Sequence, residues 1–518
     1  MRIHSNTGKP SLEKHDEAAF PGKLAGEAHV PDRGLSRLVS DKEKCRIDSR
    51  AVANGAPSSG ASTGSGVMSQ RLFGTDGVRG TANRDPITAP AAMRLAQSAA
   101  RVLMTPGEPP VVIVGRDTRA SGEFLESAVA SGLASLGIDV LLAGIIPTPA
   151  VAYLTACHEA AFGVVISASH NPFDDNGIKF FRSTGYKLSD REESEIEAEY
   201  SRHSHHVQLP IGKGVGRIKP LPGAVEQYAA FAVSTVPKRT SLSGLRIVVD
   251  AANGAAFQTT PLALARLGAK VNLRYATPDG YNINAGCGGT HPEVLAHLVR
   301  ESQADLGLAH DGDADRLLLC DERGNPLDGD EILAIAGTCL LRIGQLRENT
   351  VVATLMTNFG LDELMHQLGG KVLRTNVGDR YVIESLVDHN LNLGGEQSGH
   401  IVFRDFTTTG DGLISALQIL SIMVSSEKPL SELRRLLHKF PQVQRNVPVR
   451  EKLPFEQFPV LMRQLVGAEQ EMAGRGRIVL RYSGTEPKVR LLLEGPEVTQ
   501  LEHLADAIEH ALKRELGA

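Results

Sequence analysis

The sequence is poor in cysteine and has no paired cysteine motif. Its five cysteines are scattered along 518 residues, and no two of them form a CxxC pair. Their odd number and wide spacing argue against a disulfide framework and against a structural zinc site. Such cysteine usage is typical of a reducing compartment, so we expect a cytoplasmic protein.

Long apolar runs and long runs of one charge are also missing. No apolar run approaches the roughly 20 residues that a membrane helix requires. The N-terminus has no apolar segment of the signal-peptide kind, and its acidic residues argue against a transit peptide. Fifty-five basic against sixty acidic residues give a formal net charge of -5. We therefore expect no nucleic-acid partner and no membrane partner, but a small, soluble ligand.

Residues 1–67 are expected to lie apart from the folded domains. They are polar and end in the tract PSSGASTGSG, whose composition is typical of a linker. Met68 follows directly, and regular hydrophobic patterning begins soon after it. Two interpretations stay open: a disordered extension, and a misassigned start with the true one at Met68.

From Met68 onward, short β-branched runs recur and close on small polar residues. Examples are PPVVIVGRDTR, GLRIVVDAANG and NTVVATLMTN, and FLESAVASGLASLGIDVLLAG reads as a helix followed by a strand. Repeated βαβ units predict mixed, mostly parallel sheets covered by helices. The chain is long enough for several domains. We predict three successive α/β domains around one cleft, at residues 68–235, 236–342 and 343–440.

The C-terminal segment has a different pattern. RIVLRYSGTEPKVRLLLEG reads as strand, turn and strand, and a helix follows with one apolar stripe. This pattern predicts a small α+β domain at residues 441–518. The stripe consists of Leu501, Leu504, Ala505, Ile508, Ala511 and Leu512.

Three aspartates alternate with small residues in LGLAHDGDADRLLLC. Asp311, Asp313 and Asp315 are two residues apart, and at that spacing an extended backbone would place their carboxylates on one face. Neighbouring carboxylates repel one another unless a cation neutralises them. Hard oxygen ligands predict Mg²⁺ or a similar ion, with coordination positions left for a substrate oxygen.

Two other interpretations of the triplet stay open. Glu322 is the twelfth residue counted from Asp311, as in an EF-hand loop, but Arg316 replaces the required glycine and the flanking runs resemble strands. The triplet could also be a solvated acidic loop between two strands. We favour the metal site.

The stretch VVISASHNPFDDNGIKFF reads as a strand that ends at a polar loop. Ser167 and Ser169 are candidate nucleophiles there, because a metal ion or an adjacent base can activate a serine. A serine-rich turn after a strand is more often only structural, so these residues alone do not choose between the alternatives. His170 and Lys179 are equally open at this stage.

Two further loops carry groups suited to a phosphorylated sugar. In GGEQSGHIVF, Glu396, Ser398 and His400 alternate with small or neutral residues and could face a polyol. In RYSGTEPKVR, donors for a phosphate cluster on a tight turn, namely Arg481, Ser483, Gly484, Thr485 and Arg490. Together with the serine and the carboxylates, these loops predict phosphoryl transfer to or from a sugar phosphate.

The motifs FGTDGVRG, ISASHNPFDDNGIKFF, DGDADR, GGEQSGH and RYSGTEP resemble those of the α-D-phosphohexomutases in order and spacing, over about 450 residues from Met68 onward. The resemblance implies that Ser169, and not Ser167, carries a phosphoryl group. It also implies that this group binds Mg²⁺ together with three carboxylates, those of Asp311, Asp313 and Asp315.

The resemblance also implies roles for the remaining residues. Arg79 and Lys179 would stabilise the transferring phosphoryl group and assist proton transfer, with His400 as a nearby polar contributor. Glu396 and Ser398 would contact the sugar hydroxyls. A clamp for the phosphate that is not reacting would consist of Arg481, Ser483, Gly484, Thr485 and Arg490.

Within that family the sequence is most similar to bacterial members that interconvert glucosamine 6-phosphate and glucosamine 1-phosphate on the way to UDP-N-acetylglucosamine. Gln397, Ala314 and the opening Phe-Gly-Thr-Asp resemble those members and favour this hexosamine phosphate as substrate. The resemblance also implies a sugar 1,6-bisphosphate as intermediate and activator. We expect a monomer or homodimer. Gly289 and Tyr482 depart from the family pattern. The alternatives are a mutase for mannose and glucose phosphates, and a catalytically silent sugar-phosphate sensor.

Overall fold

A computed structural model describes residues 71–74, 76–104, 110–202, 209–472, 474–483 and 486–517. Three sequence predictions therefore lie outside the described residues: the extension at 1–67, and Gly484 and Thr485 of the phosphate loop. Within the described ranges, none of the helices combines the length and the apolar character needed to cross a bilayer.

The first sheet has six strands and lies between residues 78 and 220. In chain order the strands are β1 (Val78–Thr81), β2 (Val111–Arg116), β3 (Asp139–Ile145), β4 (Phe162–Ile166), β5 (Asp175–Arg182) and β6 (Ile218–Pro220). Their spatial order is β1-β5-β4-β2-β3-β6, with the two pairings of β5 antiparallel and the others parallel. Its helices are α1 (Ala89–Leu103), α2 (Ser121–Ser135), α3 (Thr148–Cys157), α4 (Asp190–Ser201) and α5 (Ala224–Ser234).

The second sheet has five strands. They are β7 (Arg246–Asp250), β8 (Lys270–Arg274), β9 (Leu306–Ala309), β10 (Leu318–Asp321) and β11 (Pro326–Leu327). Their spatial order is β11-β10-β9-β7-β8, and β7 pairs in parallel with both β8 and β9. The helices of this part are α6 (Thr259–Arg266) and α7 (Pro292–Ser302).

The third sheet has four strands in the spatial order β13-β12-β14-β15. They are β12 (Thr350–Thr354), β13 (Lys371–Thr375), β14 (Leu393–Gly395) and β15 (Ile401–Phe403). Only the pairing of β14 with β15 is antiparallel within this sheet. The helices around it are α8 (Gly329–Arg342), α9 (Gly360–Gln367), α10 (Asp379–Asp388), α11 (Gly412–Ser426) and α12 (Leu430–Leu433).

The last sheet is small and antiparallel, with the spatial order β16-β18-β17. It consists of β16 (Gln442–Pro448), β17 (Arg477–Tyr482) and β18 (Lys488–Glu494), with helices α13 (Pro459–Met472) and α14 (Val498–Glu515). All six residues of the predicted apolar stripe are buried on α14. The predicted α/β class with a small α+β C-terminal part is confirmed, while the residue limits of the domains stay predictions.

Buried apolar side chains join the first three sheets to one another. One cluster of buried side chains runs continuously through the first three sheets, and includes Ile113 of β2, Ile247 of β7 and Val351 of β12. The described residues of the last sheet and its two helices form a separate cluster, from Val443 to Leu516. The loops that carry polar motifs follow the carboxyl ends of β2, β4, β9, β12 and β14, where parallel sheets present their ligand-binding edge.

Candidate active site

Ser169 lies in the loop after β4 and is almost completely buried. Its Oγ donates a 2.6 Å hydrogen bond to Oδ2 of Asp311 in the loop after β9. Nδ1 of His170 lies 3.4 Å from the same hydroxyl. The structure therefore brings the predicted serine and the predicted metal loop into direct contact, although they are 142 residues apart.

Ser167 has a different environment, which separates the two candidate serines. Its Oγ donates to Oδ2 of Asp117 and accepts the backbone N–H of Ser169 at 2.9 Å. Asp117 also forms a buried ion pair with Arg119. Ser167 is thus fully used as a support for the loop, whereas the Ser169 hydroxyl faces the carboxylates.

The three aspartates converge as predicted, but for a different reason. Residues 312–314 form a turn, with a hydrogen bond from the N–H of Ala314 to the carbonyl of Asp311 and with Ala314 at φ = 59°. The prediction of an extended backbone, which the alternation of aspartates with small residues suggested, is therefore wrong. One carboxylate oxygen of each aspartate lies within 4.8 Å of the others.

The alternative interpretations of the aspartate loop are wrong. Its flanks are the strands β9 and β10, so an EF-hand, which requires helices, does not form. Asp311, Asp313 and Asp315 are 2%, 1% and 4% exposed, so the loop is not a solvated acidic turn.

The electrostatics of the triplet favour a bound cation. Burial raises the pKa of Asp311 to about 8, and repulsion by Asp315 and Asp313 adds to that shift. Burial and the charge of Asp313 also raise the pKa of Asp315. The Oδ1 atoms of Asp313 and Asp315 are buried without a hydrogen-bond partner. A divalent ion of the hard, oxygen-binding type would neutralise this charge and use these oxygens, so the residues fit such an ion.

Lys179 and Arg79 stand beside the triplet on the paired strands β5 and β1. Nζ of Lys179 lies 2.8 Å from Oδ2 of Asp313 and 2.8 Å from Oδ2 of Asp76. Burial alone would lower the pKa of Lys179, but these two carboxylates raise it. In the opposite sense, burial would raise the pKa of Asp313, and Lys179 holds it below its ordinary value. Arg79 also pairs with Asp76, which the sequence analysis did not single out.

His400 is buried at the end of the loop between β14 and β15, close to the same charges. Its Nε2 lies 3.5 Å from Asp379 and 3.8 Å from Asp315, and both ring nitrogens lack a hydrogen-bond partner. A Cβ at residue 410 would lie 2.3 Å from Nε2 of His400, so only glycine fits at that position. Lys187 extends the network, since its ammonium contacts both Asp76 and Asp379.

The loop between β14 and β15 also presents Glu396 and Ser398. Ser398 is exposed, and Glu396 is partly buried, with Oε1 accepting the N–H of Gly378 at 3.0 Å. Burial raises the pKa of Glu396. Gln397, used in the sequence analysis as a sign of substrate preference, instead donates its side-chain amide to buried Asp330 at 3.1 Å.

The described residues of the predicted phosphate clamp lie on the last sheet. Arg481 on β17 is directly opposite Arg490 on β18. Both line a cavity of about 290 Å³ that also includes Met356, from the loop after β12. Ser483 is buried, and its backbone carbonyl accepts from Nζ of Lys452 at 2.6 Å. Burial lowers the pKa of Arg481, and repulsion by the neighbouring Arg490 cation lowers it further.

The sequence analysis missed Asp76, Lys187, Asp379 and Arg119. Asp76 lies inside the motif FGTDGVRG beside Arg79, so the motif itself could have indicated it. The other three carry no local pattern, and only the fold brings them to the site. The site combines a buried serine, three converging carboxylates, and a lysine and an arginine that each pair with a carboxylate. This combination defines an enzyme site suited to phosphoryl transfer.

Family models confirm this class. Four models described as phosphoglucomutase/phosphomannomutase domains match in order: alpha/beta/alpha domain I at residues 70–206, domain II at 225–324, domain III at 328–440 and the C-terminal domain at 444–511. The chain therefore belongs to the phosphoglucomutase/phosphomannomutase family of phosphohexomutases.

Two curated relatives with the same name are similar to this chain over most of its length. A protein of Desulfovibrio desulfuricans named phosphoglucosamine mutase is 48% identical over 449 residues, which cover 87% of this chain and 100% of the relative. A protein of Pelotomaculum thermopropionicum with the same name is 49% identical over 442 residues, covering 85% of this chain and 99% of the relative.

Solved structures share the fold. A phosphoglucomutase/phosphomannomutase family protein from Burkholderia thailandensis superposes with a TM-score of 0.71 at 24% identity, over 87% of this chain and 100% of the other. The N-acetylphosphoglucosamine mutase of Aspergillus fumigatus superposes with a TM-score of 0.60 at 17% identity, over 86% of this chain and 95% of the other.

Proposed function

We propose that this phosphohexomutase is a phosphoglucosamine mutase, which interconverts glucosamine 6-phosphate and glucosamine 1-phosphate. The relatives at 48% and 49% identity support the substrate. The observation that carries the chemistry is the contact of 2.6 Å between Ser169 Oγ and the buried aspartate triplet. A group that transfers phosphate needs this proximity of an oxygen nucleophile and a cation site.

Ser169 is the phosphoryl carrier. In the first half-reaction the bond between Ser169 Oγ and phosphorus breaks and a bond forms between phosphorus and the free hydroxyl oxygen of the sugar. The proton of that hydroxyl ends on Ser169 Oγ. The product is a sugar 1,6-bisphosphate, which also serves as activator. The bisphosphate then reorients in the cleft, and its other phosphoryl group is transferred to Ser169.

Three aspartates, with the phosphate on Ser169, would hold the resident cation, which we assign as Mg²⁺ because all the donors are hard oxygens. The ligands are Asp311, Asp313 and Asp315. When bound, Mg²⁺ withdraws charge from the phosphoryl oxygens. Lys179 and Arg79 neutralise the remaining charge from the side of β5 and β1 and assist proton transfer. Removing such a water-excluded donor costs about 3–4 kcal/mol of barrier.

The rest of the site orients the sugar. Glu396 and Ser398 bind its hydroxyls, and His400 of the same loop, with two unpartnered ring nitrogens, is a nearby polar contributor. The phosphate that does not react binds to the predicted clamp, which consists of Arg481 and Arg490 on the last sheet together with Ser483, Gly484 and Thr485. Because the intermediate must bind in both orientations, the clamp accepts either phosphate.

The cellular setting follows from this reaction. The molecule that the enzyme binds is a small hexosamine phosphate, and we infer neither a nucleic-acid partner nor a membrane partner. The enzyme acts in the cytoplasm as a monomer or homodimer. Its product serves the formation of UDP-N-acetylglucosamine, a cell-wall precursor.

Turnover of glucosamine, glucose and mannose 1-phosphates by the purified protein, with Mg²⁺ and the matching bisphosphate, tests the proposal. We expect the glucosamine compound to be preferred and Ser169→Ala to abolish turnover. Ser127→Ala is the control, since that serine is exposed on α2 and bonds only within its helix. Equal rates on all three sugars would refute the substrate, and full activity of Ser169→Ala would refute the phosphoserine. Binding without turnover would instead indicate a sensor.

A further inference from the structure

The backbone at Ser169 is held in an unusual conformation. Its φ is 51°, in the left-handed region that residues with a side chain seldom adopt. Such a conformation persists only where neighbouring groups enforce it, and it is common at active sites. The enforcing groups therefore decide where the Ser169 hydroxyl points.

Besides Ser167, whose hydroxyl accepts the N–H of Ser169, two side chains enforce it, and both bind the same pair of carbonyls. Nδ2 of Asn284 donates to the carbonyl of Ser169 and to that of Asn171, each at 3.0 Å. Nη2 of Arg119 donates to the same two carbonyls, at 3.1 Å for Ser169. The loop is thus clamped from two sides at its backbone, while the hydroxyl of Ser169 stays available.

Asn284 belongs to the part of the chain that also carries the aspartate loop. A Cβ at Gly312, between Asp311 and Asp313, would lie 2.6 Å from the carbonyl of Ser169 and 2.8 Å from Nδ2 of Asn284. The serine loop, the aspartate loop and the Asn284 amide therefore meet at one point. Only glycine at residue 312 allows this approach.

Further contacts join the loop before Asn284 to the serine side. The ring of Tyr281 packs edge-on against Phe173 of the serine loop, with 5.7 Å between the ring centroids. The N–H of Ala120 donates to the carbonyl of Gly280 at 2.9 Å. These contacts hold the Asn284 loop in place, so its amide is presented at a fixed position.

We propose that Asn284 is a positioning residue for the reaction, which keeps Ser169 Oγ in register with the metal-binding carboxylates. Arg119 supports the same carbonyls from the Ser169 side of the interface. Neither residue touches the transferred group. This inference rests on the proposed role of Ser169 as phosphoryl carrier.

Two variants remove the amide donor without forcing a new backbone. Asn284 itself has φ = 58°, which glycine and aspartate tolerate. Asn284→Gly deletes the side chain, and Asn284→Asp replaces the NH₂ group by an oxygen that faces two carbonyl oxygens. Asn282→Ala is the matched control, since the Asn282 side chain bonds only to Thr277 and Asp279 of its own loop.

The experiment measures kcat and KM with glucosamine 1-phosphate, and the rate at which glucosamine 1,6-bisphosphate phosphorylates the protein, followed by intact mass. For both Asn284 variants we expect kcat to fall about tenfold to a hundredfold, because small misplacements of reacting groups have such effects. KM should stay within about twofold, as for an interaction that acts only in the transition state. Phosphorylation should slow in parallel, and Asn282→Ala should match the unmodified chain.

Unchanged kcat in either folded variant would overturn the proposal. So would a loss that appears only in KM, or failure of both variants to fold, since each indicates a merely structural role. If the unmodified chain and Asn282→Ala do not turn over glucosamine 1-phosphate, but phosphorylation of Ser169 is slowed only in the Asn284 variants, the substrate assignment fails and the positioning role stands.

Discussion

Arg481 and Arg490 face each other directly across the antiparallel strands β17 and β18. Asn446 of β16 is opposite Arg490 on the other side. Like charges in such a pair repel and weaken a sheet. Glu486 lies 3.7 Å from the Arg490 guanidinium, so its carboxylate offsets part of this repulsion, and a phosphate bound beside the two arginines would offset the rest.

Arg490→Ala should weaken substrate binding while slightly stabilising the fold. A hydrogen bond to a charged group contributes about 1.5–3 kcal/mol, and 1.4 kcal/mol is about tenfold in affinity, so KM for the sugar phosphate should rise at least about tenfold. Relief of the repulsion with Arg481 should raise the free energy of unfolding by a few tenths of a kcal/mol, roughly the size of one cross-strand pair. Kinetics and urea unfolding measure both, with exposed Arg463→Ala on α13 as control. An unchanged KM would remove Arg490 from the clamp.

Removal of the metal should lower the thermal midpoint of unfolding. A cation that binds only the folded chain stabilises it by about 2.7 kcal/mol at a hundred times its dissociation constant. Addition of Mg²⁺ after chelation should therefore raise the midpoint. Asp311→Asn, which removes one of three repelling carboxylates, should not lower the midpoint of the metal-free protein and should abolish its response to Mg²⁺. A full response in this variant would show that the ion binds elsewhere.

Ile508→Ala should destabilise the C-terminal part alone. Ile508 is fully buried on α14, and truncation of a buried isoleucine to alanine costs about 2–5 kcal/mol. Its cluster is separate from the core of the first three sheets, so a second, earlier unfolding transition should appear. The stabilising effect of Mg²⁺ on the later transition should remain. His503→Ala, at an exposed position of the same helix, is the control. A single transition shifted as a whole would contradict the separation of the two cores.

Arg380→Ala should loosen the contact between α10 and α4. Arg380 forms ion pairs with Glu193 and Asp190, and the Glu193 side chain is only 4% exposed. Burial raises the pKa of Glu193 even with Arg380 present. Glu193 keeps a second partner, Arg71, at 3.2 Å, so loss of Arg380 should cost about 1 kcal/mol, the lower end of the range for a buried acceptor. Urea unfolding should detect this loss, and Glu193→Gln should recover part of it. The matched control Arg191→Ala removes a largely exposed pair on α4 and should leave the free energy of unfolding nearly unchanged, because solvent screens such pairs. Equal effects of the two alanine variants would be evidence against the buried pair.

Periodic patterns were sufficient to predict the main elements. The run VVIVGR forms β2, RIVVD forms β7, and the stripe from Leu501 to Leu512 forms the buried face of α14. Such features depend on neighbours along the chain, and a single sequence records them. Convergence of the three aspartates was also predicted, although a turn at Ala314 produces it.

Partners from distant elements could not be predicted in the same way. Asn284 is one of two asparagines in the polar loop DGYNINAG, and no local pattern indicates that its amide reaches a carbonyl 115 residues away. Lys187 and Asp379 are 192 residues apart, and only the packing of the first and third sheets brings them together. Gln397 was interpreted as a sign of substrate preference, but the neighbouring Asp330 engages its side chain. These choices depend on tertiary geometry.

The apolar cluster around β16, β17 and β18 is distinct from the one beneath the serine and the aspartates among the described residues. Substitutions in the predicted phosphate loop therefore leave the buried apolar contacts beneath the serine and the aspartates unchanged. The phosphate-binding loop can vary in sequence without repacking that larger core.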